Sequence, residues 1–450
     1  MTDDSTAPRS DALIMFGLTG DLGEKKLFPA LYELAAAGRL GVPVVAVGRT
    51  EHSDDELFAM RDASLDGYRT ADGSPVDPEI VDSIDLSYLS GDSTEAATYD
   101  ELVTMIGDAQ NPTVYAALPP SLFGDVAQQM SESSLSDSTR LVVEKPFGDS
   151  EDSARQLFDA ITVGIGADDL FIVDHFLAKS SIENMLAVRS ANALIANSVD
   201  AGKVARIDIV MDEAGGVDGR GSFYESVGAI KDVVQNHLLQ TLAMLTMEPP
   251  TNDSDAAFDA ARVALLTSVR AIDPNDAVLG QYDGYRDLDD VDDDSEVETF
   301  VACRLFIDDE RWRGVPITIR TGKRLAADCT TATIELVDPV DADGKPRSGA
   351  IRNRIRFEVK PTASVTLELG VLDPDTHDAR TAEMVVCGPD DHGGLGDYAT
   401  MLDNAMSGVS RHFAHIDGVV EAWRIVAPII DSELSLVSYE PGGDGPPTDL

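Results

Sequence analysis

Three polar segments of the chain combine carboxylates, histidines and lysines at spacings suited to proton transfer and anion binding. Asp174-His175 comes directly after an apolar run with Lys179 close behind, and residues 144–146, Glu-Lys-Pro, end another such run. Ligands of open α/β sheets bind beyond the carboxyl ends of strands, so we expect both segments to face a cleft. A cis bond before the proline would turn Lys145 toward that cleft. Helix capping or a simple turn explains either segment equally well when it is taken alone.

The third segment lies on a helix predicted between Gly228 and Met247. Its apolar side chains recur with helical spacing and form one stripe: Val234, Leu238, Leu242 and Leu245. Asp232, Asn236 and Gln240 point away from that stripe at about 100° per residue. His237 lies at the edge of the same polar arc. This pattern indicates a helix that lines a cleft, with hydrogen-bonded core polar groups as the alternative.

A glycine-rich turn follows the first apolar run, Ala12–Phe16, and precedes a helical pattern. Strand, tight turn and helix N-terminus together meet the physical requirements for holding a pyrophosphate. We therefore expect a dinucleotide coenzyme to be bound by this turn, through Gly17, Thr19, Gly20, Asp21 and Leu22. The glycines are spaced GxxGxxG rather than GxGxxG, which leaves an ordinary strand–helix turn as the alternative.

An arginine, Arg49, follows the second apolar run at the place where NAD enzymes usually have an acidic residue. A guanidinium there suits the 2′-phosphate of NADP, so we expect NADP rather than NAD to be the preferred coenzyme. The nearby Glu51 leaves NAD as a secondary coenzyme. An arginine on the surface without a ligand is the alternative.

The order of predicted elements changes along the chain. Six short apolar runs alternate with amphipathic stretches up to Asp174, which predicts a doubly wound parallel sheet of the Rossmann type over residues 10–178. One of these stretches is opened by Ser53-Asp-Asp-Glu56, which matches a capping box. Later runs follow one another with fewer helices between them, which predicts an α+β domain with a large, mainly antiparallel sheet over 179–450. One of its helices is predicted at about Tyr398–Met406. The fold class is therefore α/β with a second α+β domain.

Acidic residues dominate the charge of the chain. The 81 Asp and Glu against 34 Lys and Arg give a formal net charge of −47, and only nine residues are lysine. Such a surface repels nucleic acid and anionic membranes. The hydrophobic fraction of 43% supports a folded core and argues against disorder as the cause. Because the acids are spread from end to end, we interpret them as an adaptation to a salty cytoplasm, with an ordinary acidic protein as the alternative.

The cysteines and histidines show no pattern of structural cross-linking. Cys303, Cys329 and Cys387 are an odd number without a CxxC spacing, which predicts neither a disulfide framework nor a zinc site. The remaining histidines have no ligand-like spacing: His52, His377, His392, His412 and His415. The polar N-terminus and the lack of a long apolar run predict a cytoplasmic protein without a membrane span or a metal.

The chain resembles the glucose-6-phosphate dehydrogenase family over roughly residues 10–330. The matching blocks, in the family's order, are GLTGDLGEKKLFPALY from Gly17, AALPP from Ala116, EKPFG from Glu144, DHFLAK from Asp174, GRGSFYESVGAIKDVVQNHLLQ from Gly219, MEPP from Met247, ETF from Glu298 and WRGVPITIRTGKRL from Trp312. The QNH and RTGKR blocks are the most specific, and the likeness is looser beyond Leu325.

This resemblance implies oxidation of glucose 6-phosphate at C1 to 6-phosphogluconolactone, the first step of the oxidative pentose phosphate pathway, with hydride transfer to NADP. His237 would be the general base, since imidazole titrates near neutral pH, and Asp174 would orient it. The substrate would be bound by His175, Lys179, Lys145, Glu213, Asp232 and Lys323, and NADP by the glycine turn, Lys26, Arg49 and Lys145. Six of the nine lysines lie inside the matching blocks, so a cationic cleft is compatible with the acidic surface.

Two positions depart from the family's pattern. Phe176 stands where the family usually has a tyrosine whose hydroxyl contacts the phosphate, and Asp328 stands where it often has a basic residue. Both changes remove implied contacts with the phosphate. Arg324 is a candidate to replace the missing basic group. A dehydrogenase of unphosphorylated glucose or another sugar therefore remains an alternative, as does a catalytically silent NADP-binding sensor. By resemblance alone, we expect a homodimer or homotetramer formed through the large sheet.

Overall fold

A computed structural model describes residues 8–70, 73–135, 137–345, 351–375, 378–387, 394–448 and 450. The chain divides into two compact units. The first unit comprises Met1–Lys179, Asn252–Asp259 and Asp390–Val420, and the second comprises Ser180–Thr251, Ala260–Pro389 and Glu421–Leu450. The sequence predicts a single domain boundary after residue 178. In the structure, the segments Asn252–Asp259 and Asp390–Val420 also belong to the first unit. The assignment of coenzyme and substrate binding to separate domains stays a prediction.

Fifteen strands and thirteen α-helices are numbered here in chain order, among the described residues. The strands are β1 (Ala12–Phe16), β2 (Val44–Gly48), β3 (Leu86–Ser90), β4 (Pro112–Ala116), β5 (Arg140–Val143), β6 (Leu170–Ile172), β7 (Val204–Asp212), β8 (Ala277–Tyr282), β9 (Phe300–Leu305), β10 (Ile317–Gly322), β11 (Cys329–Leu336), β12 (Arg354–Lys360), β13 (Ser364–Leu372), β14 (Ala379–Cys387) and β15 (Val437–Tyr439). The helices are α1 (Phe28–Ala36), α2 (Asp54–Leu65), α3 (Pro78–Asp82), α4 (Ala96–Ile106), α5 (Phe123–Glu132), α6 (Glu151–Thr162), α7 (Ser180–Ala191), α8 (Ala193–Ala196), α9 (Gly221–Ala229), α10 (Leu239–Thr246), α11 (Asp255–Ser268), α12 (Asp397–Ser407) and α13 (Ile416–Ile430).

The first unit is built on a six-stranded sheet in the order β3-β2-β1-β4-β5-β6. All neighbouring strands pair in parallel, which confirms the predicted doubly wound architecture. The four inner strands β1, β2, β4 and β5 are short runs buried on both faces, as is usual in parallel sheets. Their carboxyl ends form one edge of the sheet, where the predicted site residues of this unit follow.

Local sequence signals start the helices of the first unit. The Ser53 hydroxyl accepts a hydrogen bond from the Glu56 backbone N–H, while the Glu56 carboxylate accepts one from the Ser53 N–H at 2.8 Å, which confirms the predicted capping box before α2. Helix α12 returns from far along the chain and packs its buried Met401 and Leu402 into the same core as Met15. Burial of apolar surface therefore binds a late segment of the chain to the first sheet.

The second unit contains a nine-stranded sheet in the order β14-β13-β12-β11-β7-β10-β9-β8-β15. Its pairs are antiparallel except β7 with β10 and β8 with β15, which confirms a mainly antiparallel sheet. The central strand β7 lies between β10 and β11, which come more than a hundred residues later. Alternation of apolar and polar residues marks β7, β10 and β11, whose apolar side chains are buried.

The predicted helix between 228 and 247 is divided into three parts. Gly228 adopts φ +61°, a non-helical conformation that breaks the helix near the end of α9. Ile230–Leu238 then forms a wide π-helical segment, and α10 completes the helix. The predicted apolar stripe is fully buried, so the helical period is correct in outline. The wide turns rotate successive residues by less than about 100°, because a π-helix has more residues per turn.

In the described part of the chain, no helix combines the length and apolarity required to cross a membrane.

Candidate active site

The turn after β1 approaches neighbouring backbone closely. Gly17 has φ +77°, and a Cβ atom at this position would lie 2.3 Å from the carbonyl oxygen of Ala117. Its N–H donates to the Val47 carbonyl at 3.0 Å, and the Gly20 N–H donates to the Gly17 carbonyl at 3.0 Å. Only glycine fits position 17, because both the positive φ and the contact exclude a side chain.

The third glycine brings the following helix against the turn. A Cβ on Gly23 would lie 1.6 Å from the Leu18 carbonyl oxygen. Residues Gly23–Leu27 form one wide turn that leads directly into α1. Asp21 forms an exposed ion pair with Lys25 at 2.7 Å, whereas Lys26 lies exposed on the same turn. The turn thus combines closely packed backbone before a helix with the exposed cation of Lys26, an arrangement that suits a pyrophosphate.

Arg49 lies exposed just beyond the end of β2. The preceding Gly48 is close to the Tyr88 hydroxyl, which donates to the Thr50 carbonyl at 2.6 Å and so holds this strand end. Two hydrogen bonds from Thr94 lower the pKa of Asp92, and the charge of Arg49 contributes a smaller part. The guanidinium is therefore near one carboxylate and open to solvent, as a phosphate-binding arginine requires.

The segment after β5 has a cis bond between Lys145 and Pro146, the geometry considered from the sequence. Lys145 is partly buried, and Glu144 before it accepts a hydrogen bond from the Tyr115 hydroxyl at 2.5 Å. Burial raises the pKa of Glu144, and its contacts with Tyr115 and Lys145 offset this only in part. Lys145 is thus held beside a buried, hydrogen-bonded carboxyl group.

Asp174 and His175 follow β6 at the same edge of the sheet. The Asp174 side chain is buried, and its Oδ1 accepts a hydrogen bond from the Phe176 N–H at 3.0 Å. Asp174 therefore also stabilises a turn, the alternative role considered from the sequence. The His175 ring stacks on Tyr398 of α12, with ring centres 5.9 Å apart and planes at 20°. This stacking fixes the imidazole in one orientation.

Lys179 has two partners in the first unit. Its ammonium forms an ion pair with Asp397, the first residue of α12. It also lies 5.4 Å from the centre of the Phe176 ring, which is fully buried. The predicted phosphate-binding lysine therefore carries a carboxylate partner that the sequence patterns did not indicate.

The second unit assembles a cluster around Lys323 at the end of β10. Its Nζ donates to Glu213 Oε1 at 2.6 Å and lies 3.5 Å from Asp232 Oδ2. The lysine is only 6% exposed and lies 5.7 Å from the centre of the Tyr224 ring. Three of the predicted substrate-binding residues thus meet in one unit, because parallel pairing of β7 with β10 aligns their carboxyl ends.

His237 lies on the wide helical segment and is 2% exposed. The Asn236 amide oxygen accepts the His237 backbone N–H at 2.7 Å, and the Asn236 amide group donates to the Lys231 carbonyl at 2.9 Å. Thr241 donates to the His237 carbonyl at 2.7 Å. Asn236 and Gln240 are also buried, so the polar arc is a packed surface rather than an open one. His237 belongs to the second unit and Asp174 to the first.

The two positions that depart from the family pattern have structural partners. Asp328 Oδ1 accepts the Ala214 N–H at 3.1 Å, next to Glu213. Arg324 adopts φ +54° and pairs with Asp218 at 2.8 Å. Its guanidinium thus already has a carboxylate partner, which weakens the suggestion that Arg324 replaces the missing basic group.

Among the residues that the structure describes, no group of three or more histidine, cysteine, aspartate or glutamate side chains has a metal-binding arrangement. His377 and His392 lie outside the described residues.

Sequence reasoning missed Asp397 and Tyr398 as contacts of Lys179 and His175. It predicted a helix from Tyr398 to Met406 but assigned no role to its start, because the contacts cross more than 200 residues of chain. A carboxylate and an aromatic residue at a helix start are too common to indicate a site. The contact of the Tyr115 hydroxyl with Glu144 was also missed, because it depends on the pairing of β4 with β5.

Comparisons with known proteins agree on one family. Residues 14–184 match the model described as "Glucose-6-phosphate dehydrogenase, NAD binding domain", and residues 186–449 match "Glucose-6-phosphate dehydrogenase, C-terminal domain". The chain is 35% identical over 444 residues to glucose-6-phosphate 1-dehydrogenase 1 of Mycobacterium tuberculosis, covering 97% of this chain and 93% of the relative.

Solved structures give the same result. The crystal structure of glucose-6-phosphate 1-dehydrogenase from Mycobacterium avium aligns with a TM-score of 0.89 at 34% identity, over 97% of this chain and 95% of that one. A glucose-6-phosphate dehydrogenase in complex with its substrate glucose-6-phosphate also aligns with a TM-score of 0.89, at 28% identity, over 98% and 96% of the two chains.

Proposed function

The chain belongs to the glucose-6-phosphate dehydrogenase family, and from that premise we propose how its own residues perform the reaction. It oxidises glucose 6-phosphate at C1 to 6-phosphogluconolactone and uses NADP as the coenzyme. The reaction removes a proton from the C1 hydroxyl and a hydride from C1. The protein must therefore supply a base, hold the sugar phosphate and orient the coenzyme.

His237 is the proposed general base that accepts the C1 hydroxyl proton. Its backbone N–H and carbonyl are both hydrogen-bonded within its own helix, which limits the positions open to the ring. Asp174 is proposed to orient the imidazole and to stabilise its protonated form, the usual role of a carboxylate behind a histidine. Lys145 is proposed to contact the reacting hydroxyl and the coenzyme.

The sugar phosphate has proposed contacts in each unit. His175 and Lys179 are assigned to the 6-phosphate, since both carry or acquire positive charge. Glu213, Asp232 and Lys323 are assigned to the sugar hydroxyls and the phosphate. The ion-paired cluster of these three residues supports this assignment, because it places donors and acceptors at one buried position.

The residues of the first unit fit NADP. The Gly17 turn packs tightly against the Ala117 carbonyl and leads into a helix, and the exposed Arg49 and Lys26 supply cations for phosphate groups. NADP supplies the hydride acceptor when it is bound. We propose that Gly17 to Leu22, Lys26 and Arg49 hold it, with NAD as a weaker alternative coenzyme.

One observation favours an active enzyme over a silent binding protein: the chain retains every ionisable side chain that the reaction requires. His237, Asp174, Lys145 and Lys179 are all present. A binding protein without catalytic activity would not require a buried histidine such as His237 beside the buried amides of Asn236 and Gln240. Free glucose was the alternative substrate because Phe176 and Asp328 stand where the family's pattern has phosphate contacts, and the comparisons support glucose 6-phosphate instead.

A substrate comparison tests the proposal. We expect NADP to be reduced rapidly with glucose 6-phosphate and slowly with glucose, with NAD less effective than NADP. The measurement is absorbance of the reduced coenzyme in purified enzyme at high KCl. Turnover with glucose and none with glucose 6-phosphate would contradict the assigned substrate.

We propose that the acidic surface is an adaptation to high salt. With a formal net charge of −47, the folded chain repels itself at low ionic strength, and salt near 1 M shortens the Debye length to about 3 Å. The same assay, run across a range of KCl concentrations, should give its highest activity at molar salt. Equal activity and stability without salt would argue against this interpretation.

A pair of variants separates phosphate binding from the chemical step. Lys179→Ala should raise KM for glucose 6-phosphate at least about tenfold and change kcat less, because it removes a charged contact. Asp397→Asn should lower that KM about threefold, because the Asp397 carboxylate competes with the phosphate for the same ammonium. KM for glucose should change in neither variant.

The matched control is Lys203→Ala, since Lys203 forms an exposed ion pair with Asp200 at 2.6 Å. This substitution also removes one positive charge, but it should leave kcat and KM for glucose 6-phosphate unchanged. If Lys179→Ala behaves like this control, Lys179 does not bind the phosphate.

We also propose self-association and a cytoplasmic location. Strands β13 and β14 carry exposed apolar side chains at the end of the sheet, including Leu372 at 68% and Met384 at 54% exposure. Such a row of side chains supports a homodimer or homotetramer through this sheet, which sedimentation velocity in high KCl would measure. Cys303 and Cys329 are free thiols, which supports a reducing compartment.

A further inference from the structure

The helix that carries Asp232 and His237 begins without the usual backbone partners. Gly228 has φ +61° and ψ −178°, so the helical conformation is broken near the end of α9. The N–H groups of the next two residues, Ala229 and Ile230, therefore need acceptors from outside their own helix.

A single residue from elsewhere in the second unit supplies both acceptors. The backbone carbonyl of Glu298 accepts the Ala229 N–H at 3.0 Å, and its carboxylate Oε1 accepts the Ile230 N–H at 2.9 Å. The carboxylate fills the space beside Gly228, where a Cβ atom would lie 2.4 Å from Oε1. A carboxylate at a helix start is also favoured by the helix dipole.

The next residue extends this anchor to the substrate cluster. The carbonyl of Thr299 accepts the Lys323 N–H at 2.9 Å, and Lys323 in turn contacts Asp232 and Glu213. The two-residue segment 298–299 therefore fixes both the start of the His237 helix and the backbone of Lys323. A shift at this segment would move both groups together.

Glu298 also lines a cavity of about 670 Å³ within the second unit. Burial raises the pKa of Glu298 to about 7, and its hydrogen bonds and the charge of Lys231 offset this in part. The other charged or titratable groups that face it or the cavity are Tyr224 from α9, Tyr285 and Arg286 from the turn after β8, Glu296 from the same loop, and Glu433 from the segment after α13.

We propose that Glu298 is a positioning residue for catalysis: it holds the first turn of the helix that carries Asp232 and His237, and it does so best as a carboxylate. The inference rests on the role of His237 given under the proposed function. Protonation of Glu298 replaces a charge-assisted hydrogen bond to Ile230 by a neutral, weaker one. The position of the base is then coupled to the charge of a side chain that does not touch the substrate.

Two variants test this role through catalysis rather than folding. Glu298→Ala should lower kcat at least about tenfold, counted per folded enzyme by NADP binding. Glu298→Gln keeps an oxygen acceptor and should match the wild type below about pH 6, where Glu298 is protonated. Above about pH 7.5 its kcat should fall behind the wild type about threefold or more. The measurement is kcat and KM from pH 5.5 to 9.

Glu296→Ala is the matched control, because Glu296 lines the same cavity and is exposed. It should leave kcat unchanged over the whole pH range. If Glu298→Ala folds and keeps kcat within twofold, or if the Gln variant shows a ratio to wild type that does not change with pH, the proposal is wrong. If His237→Asn retains full activity, the proposed base itself fails, whatever the Glu298 variants show.

Discussion

Replacing His237 by asparagine should lower kcat at least about a hundredfold, while NADP and glucose 6-phosphate still bind. General-base catalysis typically contributes 10² to 10⁴ in rate, and asparagine cannot accept a proton. The fold should survive, because the hydrogen bonds from Thr241 and to Asn236 use the His237 backbone, which the substitution keeps. Steady-state kinetics with coenzyme titration by fluorescence measure both quantities.

His415→Asn provides the comparison for this substitution. His415 is 43% exposed, lies 3.7 Å from Asp417 in the first unit, and has no assigned role in the reaction. It should retain wild-type kcat. If the His237 variant is as active as the His415 variant, the proton is accepted by another group, and the mechanism proposed here is wrong.

Replacing Gly17 by alanine should both destabilise the first unit and weaken NADP binding at least about tenfold. The alanine Cβ would meet the Ala117 carbonyl oxygen at 2.3 Å, and φ +77° is strained for any side chain. Strain of this kind costs about 1–3 kcal/mol, and a forced contact with rigid backbone adds a comparable amount. Thermal unfolding with and without NADP, together with KM for NADP, measures the two effects.

Gly38→Ala separates backbone strain from the contact. Gly38 has φ +68°, and a Cβ there would meet nothing within 4 Å. This variant should lose only about 1 kcal/mol of stability and bind NADP normally. Equal losses in both variants would show that the Ala117 contact does not matter and that the turn tolerates a side chain.

Much of the fold was predictable from local patterns. Predicted strand Ala12–Phe16 is identical to β1, and the Ser53 capping box starts α2 as expected, because both depend on residues close together in the sequence. The glycine turn was also predictable, since strand, glycine and helix lie within a few residues. These features are specified by steric limits and short-range hydrogen bonds.

The predicted site residues were identified one segment at a time, and their mutual contacts were not predictable. The Glu213–Lys323–Asp232 cluster depends on β7 pairing with β10, whose sequence separation exceeds a hundred residues. The helix of His237 was predicted with regular geometry, and the wide turns at Ile230–Leu238 were missed, because no residue pattern distinguishes the two forms.

The sequence by itself therefore determined the fold class and the glycine-rich turn after β1, since each depends on side-chain period or on neighbouring residues, and it supplied the residue types proposed for the site. Only the tertiary structure decided which groups hold those residues. Asp397 reaches Lys179 and Glu298 reaches Ile230 across long separations in the chain. Burial of apolar surface brings such segments together without regard to sequence order, so the partners of a buried charge become visible only when the core is packed.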